Sequence, residues 1–263
     1  MHDTNPENLS AVILCGGKGT RLSEYSNSTN KPLIKIGEVP IVLHVAFRFW
    51  LAGFREINIL GGWQYKKFEN GLKEAIEDAK TNKYFREMVS QTIFRIHDTG
   101  QKADTFERIN KISSILTTDK FLITYGDTIT NLDCQHLIKS YQKDSKNSNA
   151  AMVSVVRPNK RFSTVSFDAS TNKVKIFEEK VGKEKEWVGC GFMIIPKHFI
   201  ERHRTCKSLE KEFLPKLVLE QKLFAYQHYG LWHPIDYIID VQKAEALYQE
   251  QSSMGYPSWL NIY

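Results

Sequence analysis

The chain has 263 residues, 41% hydrophobic and 25% charged, with a net charge of +6; the balance is that of a globular protein with a sizeable core. The charge suits a polyanionic ligand such as a nucleotide, although proteins that bind none also carry it. No run approaches the roughly 20 apolar residues of a membrane span, and the polar segment from Met1 to Ser10 has no signal-peptide core, so a cytoplasmic location is expected.

After this flexible tail over residues 1–9, Ala11-Val12-Ile13-Leu14-Cys15 is a short apolar run of the kind buried in a parallel sheet, and it stops at Gly16-Gly17. Residues 40–53 place Ile41, Val45, Phe49 and Ala52 at helical spacing, and 56–60 form a second strand that stops at Gly61-Gly62. Helices over 64–79 and 105–116 then alternate with strands over 92–97 and 120–125. This alternation predicts an α/β fold: a Rossmann-like, three-layer, mostly parallel sheet with helices on both faces. Past Asn149 the spacing changes, with strands at 150–156, 164–167, 173–177 and 189–195 in quick succession, which predicts hairpins extending the sheet. Helices at 196–203, 209–220 and 238–249 and a strand at 223–228 complete one domain over residues 10–263.

Cys15, Cys134, Cys190 and Cys206 form no C-x-x-C, which argues against a zinc site or a disulfide framework. His198 and His203 are five apart and do not share a helical face, so a histidine metal site is not expected either.

The strongest local signal is Gly16-Gly17-Lys18-Gly19-Thr20-Arg21 directly after the first strand. Glycines let a backbone approach a ligand and turn its N–H groups inward around phosphates, while an arginine fork pairs with phosphate oxygens. A tight turn with a solvated arginine is the alternative. A Walker motif is excluded because Gly19 follows Lys18, and a dinucleotide fingerprint because Leu22 stands where a third glycine is required. Asp127 follows a buried strand and Gly126, and open parallel sheets bind ligands at the carboxyl ends of their strands.

Gly16-Gly17-x-Gly19-Thr20-Arg21-Leu22, then Lys31-Pro32, then Pro40-Ile41 resembles the signature of the sugar-phosphate nucleotidyltransferases. The glucose-1-phosphate cytidylyltransferases are the most similar branch, with Asp98-Thr99-Gly100 through Arg108, Phe121 through Asp127, Glu179-Lys180, Gly191-Phe192 and Trp232 through Asp236 in the same order. The resemblance implies the nucleotide-diphospho-sugar transferase fold and a Mg²⁺-dependent enzyme. It would join a nucleoside monophosphate, from CTP by preference, to a sugar 1-phosphate and release pyrophosphate, in the making of surface polysaccharide precursors. Arg21 and Lys31 would be catalytic, and Asp127 and Asp236 would hold the metal. Leu14, Gly16, Gly17, Gly19, Thr20, Arg21, Thr99, Gly100, Thr105, Arg108 and Gly126 would bind the nucleotide, in a part spanning 10–148. Lys180 and Gly191 would bind the acceptor, in a part spanning 149–263. Such a reaction needs no protein nucleophile, because an acceptor phosphate oxygen attacks the α-phosphorus in line.

Three departures from the family pattern concern the substrates. Phe106 and Glu107 replace two glycines before Arg108, and their bulk would occupy space that the backbone or ligand otherwise has. Gly189-Cys190 stands where Asn-Gly is usual, which removes an amide expected to bind sugar hydroxyls, and Tyr237 replaces a threonine. A non-hexose acceptor (a phosphorylated amino acid, a polyol or an unusual sugar) is therefore an alternative. A catalytically silent nucleotide-sensing subunit is a second, opposed by the retention of Arg21, Lys31, Asp127 and Asp236. Nucleic acid is not an expected partner, because the basic residues are dispersed. The chain could form a homo-oligomer, with the aromatic segment 259–263 packing on a neighbour.

Overall fold

In chain order the strands are β1 (Leu9–Leu14), β2 (Lys35–Ile36), β3 (Val39–Pro40), β4 (Glu56–Gly61), β5 (Ile93–Asp98), β6 (Lys120–Tyr125), β7 (Thr128–Thr130), β8 (Ala151–Val156), β9 (Thr164–Phe167), β10 (Val174–Glu178), β11 (Val188–Pro196), β12 (Leu223–His228) and β13 (Trp232–Pro234). The structure, a computed structural model, describes residues 6, 9–22, 30–143, 149–159, 164–178, 186–253 and 257–260.

Seven strands make one sheet in the order β12-β8-β11-β6-β1-β4-β5. The pairs β1–β4, β1–β6, β4–β5 and β12–β8 are parallel, and β11 runs antiparallel between β6 and β8. The expected mostly parallel sheet is thus present. The strands after Asn149 divide differently from the expectation: β8 and β11 enlarge the sheet, while β9 and β10 pair with each other as a separate ribbon.

The uninterrupted apolar runs follow from burial on both faces. In β1, Ala11 and Ile13 enter one hydrophobic cluster, while Val12 and Leu14 enter the other. The helix Ile41–Leu51 contributes Val45 and Phe49 to the first cluster, and the helix Thr105–Ser113 contributes Phe106 and Ile109 to the second. Helices therefore cover both faces.

The single helix expected over 209–220 is a π-helical turn, Leu209–Phe213, running into the helix Leu214–Leu219. Pro215 has no N–H, and its ring would strike the preceding turn of a regular helix, so the wider turn accommodates it. At the C-terminus Trp259 is fully buried within its own chain, where its indole Nε1 donates to His44 Nδ1 at 3.1 Å and its carbonyl accepts from Arg48 Nη1 at 3.1 Å. Of the segment 259–263 considered for packing on a neighbour, Trp259 thus packs within its own chain, and residues 261–263 lie outside the described residues. The four cysteines are free and buried. Among the described residues no helix is long and apolar enough to cross a membrane.

From β1 the sheet grows through β4 and β5 on one side, and the chain then returns to place β6 on the other. Such a reversal leaves a crevice beyond the carboxyl ends of β1 and β6, where open α/β sheets bind ligands.

Candidate active site

A cleft of about 520 Å³ opens at that crevice, bounded by the glycine loop, Lys31, Arg108, Tyr125, Asp127 and Asp236. Its size suits a nucleotide-sized ligand. Lys31 opens the 3-10 turn Lys31–Leu33, where the buried Pro32 fixes the backbone at the second position. Asn30 anchors the turn through Nδ2, which donates to Trp63 O at 2.8 Å. Gly19 adopts φ +64°, and a Cβ there would stand 3.0 Å from Lys31 Cβ, so the glycine loop folds back against the lysine.

Asp127 follows β6 after Gly126, just before β7. Asp236 lies two residues past the end of β13, which pairs antiparallel with β7 so that Pro234 faces Thr128 and Ile235 N donates to Asp127 O at 3.0 Å. An aspartate just before the helix Ile238–Ser253 could have served as its N-cap. Asp240, in the first turn of that helix, reaches back instead, its Oδ2 accepting from the backbone N–H of Asp236 at 3.0 Å and of Tyr237 at 2.9 Å. The Asp236 carboxylate is turned to Lys31.

Lys31 Nζ donates to Asp127 Oδ2 at 2.7 Å and to Asp236 Oδ1 at 3.0 Å. The lysine side chain is 12% exposed and the carboxylates 33% and 29%, so the pair keeps access to the cleft. Burial acts to lower the Lys31 pKa, but Asp127 and Asp236 outweigh it, and the ammonium is held above its ordinary value. Burial and the nearby Asp127 push the Cys15 thiol up, so this cleft residue stays protonated.

Leu14, Gly16, Gly17, Gly19, Thr20, Thr105 and Arg108 also line the cleft. Arg21 belongs to the 3-10 turn Thr20–Leu22, but its side chain, and Lys180 altogether, lie outside the described residues. Gly126 N donates to Leu14 O at 3.0 Å and ties the end of β6 to the loop. Gly191, at φ +101° in the irregular stretch of β11, would place a Cβ 3.1 Å from the Tyr125 ring. Thr99 is buried and, with Gly100, bonds to the Arg108 guanidinium.

Phe106 and Glu107 do not crowd the ligand space, contrary to the expectation from their bulk. Phe106 is fully buried, its ring 4.7 Å from that of Phe213. Glu107 Oε2 accepts from Asp104 N at 2.8 Å and completes a capping box at the helix start. The Asp104-x-x-Glu107 spacing carried that signal in the sequence. Gly189 faces open space, and the Cys190 thiol is buried and donates to Ser154 Oγ at 2.9 Å. Ala103, Asp104 and Tyr125 line the cleft without having been singled out from the sequence; neither was Glu210, which accepts from the Tyr125 hydroxyl from outside the lining. Burial and Glu210 raise the Tyr125 pKa, so the phenol stays protonated. Glu210 is remote in sequence and carried no local signal.

A family model described as nucleotidyl transferase matches residues 10–252. The probable glucose-1-phosphate cytidylyltransferase of Bacillus subtilis (strain 168) is 31% identical over 239 residues, covering 87% of this chain and 91% of that protein. The mannose-1-phosphate guanylyltransferase catalytic subunit beta of Xenopus tropicalis is 24% identical over 256 residues, covering 97% of this chain and 68% of that one. In fold, UDP-glucose pyrophosphorylase complexed with UDP-glucose superposes with a TM-score of 0.71 at 14% identity, over 93% of this chain and 99% of that one. A glycine loop facing a lysine-bridged pair of aspartates thus sits on a chain whose matched length is nearly complete: it is a nucleotidyltransferase and belongs to the nucleotidyl transferase family.

Proposed function

We propose that the cleft transfers a cytidylyl group from CTP to a sugar 1-phosphate and releases pyrophosphate. The observation that carries this reading is the Lys31 ammonium held between Asp127 and Asp236 at the mouth of the glycine loop. An oxygen of the acceptor phosphate attacks the α-phosphorus, the bond to the β-phosphate oxygen breaks, and pyrophosphate leaves opposite the entering oxygen. No protein atom becomes covalently attached. The residues act by positioning and by neutralising charge: the loop N–H groups take the triphosphate, and Lys31 offsets charge on the reacting phosphates. In this reading residues 10–148 serve the nucleotide and 149–263 the acceptor.

The aspartate pair fits Mg²⁺. Both donors are hard carboxylate oxygens, they come from separate segments, and they border the cleft. Among the described residues no group of three or more His, Cys, Asp or Glu side chains gathers, so phosphate and water oxygens would complete the shell. Bound there, the ion would polarise the phosphoryl oxygens and stabilise charge in transfer.

The preference for CTP is supported by the cytidylyltransferase that shares 31% identity, while the guanylyltransferase at 24% makes the base the point to test. The altered Gly189-Cys190 position favours examining acceptors other than a hexose as well. A pyrophosphate-release screen of CTP, UTP, dTTP, GTP and ATP against sugar 1-phosphates, phosphorylated polyols and phosphorylated amino acids tests both halves. CTP with a sugar 1-phosphate is expected to give the highest kcat/KM. Release that needs no acceptor, or none with any pair, would overturn the reading.

A further inference from the structure

Arg108 points into the cleft from the helix Thr105–Ser113, yet its guanidinium is committed to the protein itself. Nη2 donates to Gly16 O at 2.9 Å, and Nη1 donates to Thr99 Oγ1 at 2.6 Å, Gly100 O at 3.0 Å and Gly61 O at 3.2 Å. These acceptors sit where the chain leaves β1, β4 and β5. Two glycines are shaped around the side chain: a Cβ at Gly16 would lie 2.2 Å from Arg108 Cζ, and one at Gly62 would lie 2.0 Å from Nη1. The residue is 5% exposed. Buried carbonyls require donors, and a planar fork of several N–H groups can serve acceptors converging from three segments, which the single ammonium of a lysine cannot do with the same geometry.

We propose that Arg108 is a positioning residue that locks the segments after β1, β4 and β5 into one unit, and so aims the glycine-loop N–H groups at the triphosphate. It does not read the base or the ribose. This rests on the proposed seat of the triphosphate at the glycine loop. A loop already held in its binding conformation has little ordering left to do when the ligand arrives, so losing the strut weakens binding of the phosphates whatever they are attached to.

The discriminating probe is inorganic tripolyphosphate, which has neither base nor ribose, titrated beside CTP. Arg108→Ala and Arg108→Lys are each expected to raise both dissociation constants by about tenfold or more, by factors that agree within about threefold. Guanidinium ion at millimolar concentration is expected to recover part of the loss in Arg108→Ala and none in Arg108→Lys, where the lysine side chain fills the space. A loss confined to CTP, or unchanged affinity for both ligands, overturns the proposal. Should Arg108→Ala and Arg108→Lys not fold, Thr99→Val removes one acceptor of the fork and is expected to weaken both ligands by a smaller, equal factor; unequal or absent effects overturn the proposal there too. Gly19→Val strains the loop at its positive φ and separates the two levels of inference. If it leaves tripolyphosphate binding unchanged, the seat on the loop fails; if it weakens binding while the Arg108 variants do not, only the strut fails.

Discussion

Lys31 holds together two carboxylates that would otherwise repel, and the same charge is available to phosphates entering the cleft. Lys31→Ala and Asp127→Ala are each expected to lower turnover by about a hundredfold or more, the scale of losing one group that stabilises transition-state charge. Pyrophosphate release measures this, and near-normal rates in either variant contradict the assignment. At Gly189 a new Cβ would meet no neighbour within 4 Å, so the backbone there admits a side chain such as that of Gly189→Asn. It is expected to raise kcat/KM for glucose 1-phosphate; an unchanged value removes position 189 from the acceptor site. The glycine loop and Asp127 stand beside local markers, glycines and the end of an apolar strand, whereas Lys31, on a polar loop, was singled out only by its spacing within the family signature. The meeting of Asp236 with Asp127 was reachable only through family order. It depends on β7 and β13, three residues each, too short for periodicity to show.

The helix Thr105–Ser113 shows how an element can mislead when its residues are judged by bulk alone. Phe106 lies on its buried face and stacks against Phe213, so Phe106→Ala is expected to cost about 3–5 kcal/mol of stability by leaving a cavity. Because the side chain points away from the cleft, the KM for the triphosphate in the folded fraction should change by less than about threefold, a core effect rather than a lost ligand contact. Chemical unfolding with parallel kinetics checks this, and a large KM change with intact stability would return Phe106 to the site. The parallel core was readable because strands buried on both faces are apolar without interruption. Regions with less regular patterning were less so: the ribbon of β9 and β10 leaves the sheet, although its strands resemble those that join it. The helices Arg86–Gln91 and Cys134–Lys143 went unassigned, the first because six residues give too few turns to establish a period.

Across the whole molecule, Trp259 near the C-terminus is tied to the helix Ile41–Leu51 through His44 and Arg48. Burial depresses His44 from 6.5 to about 4, and its backbone hydrogen bonds only partly oppose this. Above the unfolded value both states are neutral and the histidine adds no pH dependence. As pH falls below 6.5 the unfolded chain takes up the proton first, so stability declines until the folded value is reached. Between pH 7 and pH 5 this amounts to about 2 kcal/mol. His44→Gln is expected to flatten the unfolding free energy over that interval relative to the parent chain; an identical slope would mean that His44 is not held neutral. The sheet also ties distant stretches of the chain together, since β6, which leads through Gly126 to Asp127, pairs with β11, which carries Gly191, and Asp127 and Asp236 border one cleft. The most direct test of that shared cleft uses CTP labelled separately at the α- and γ-phosphorus, incubated with Mg²⁺ and a sugar 1-phosphate. Nucleotidyl transfer puts the α label in a nucleoside diphosphate sugar and the γ label in pyrophosphate, only when acceptor is present; γ label in the sugar product, or label released without acceptor, would contradict it.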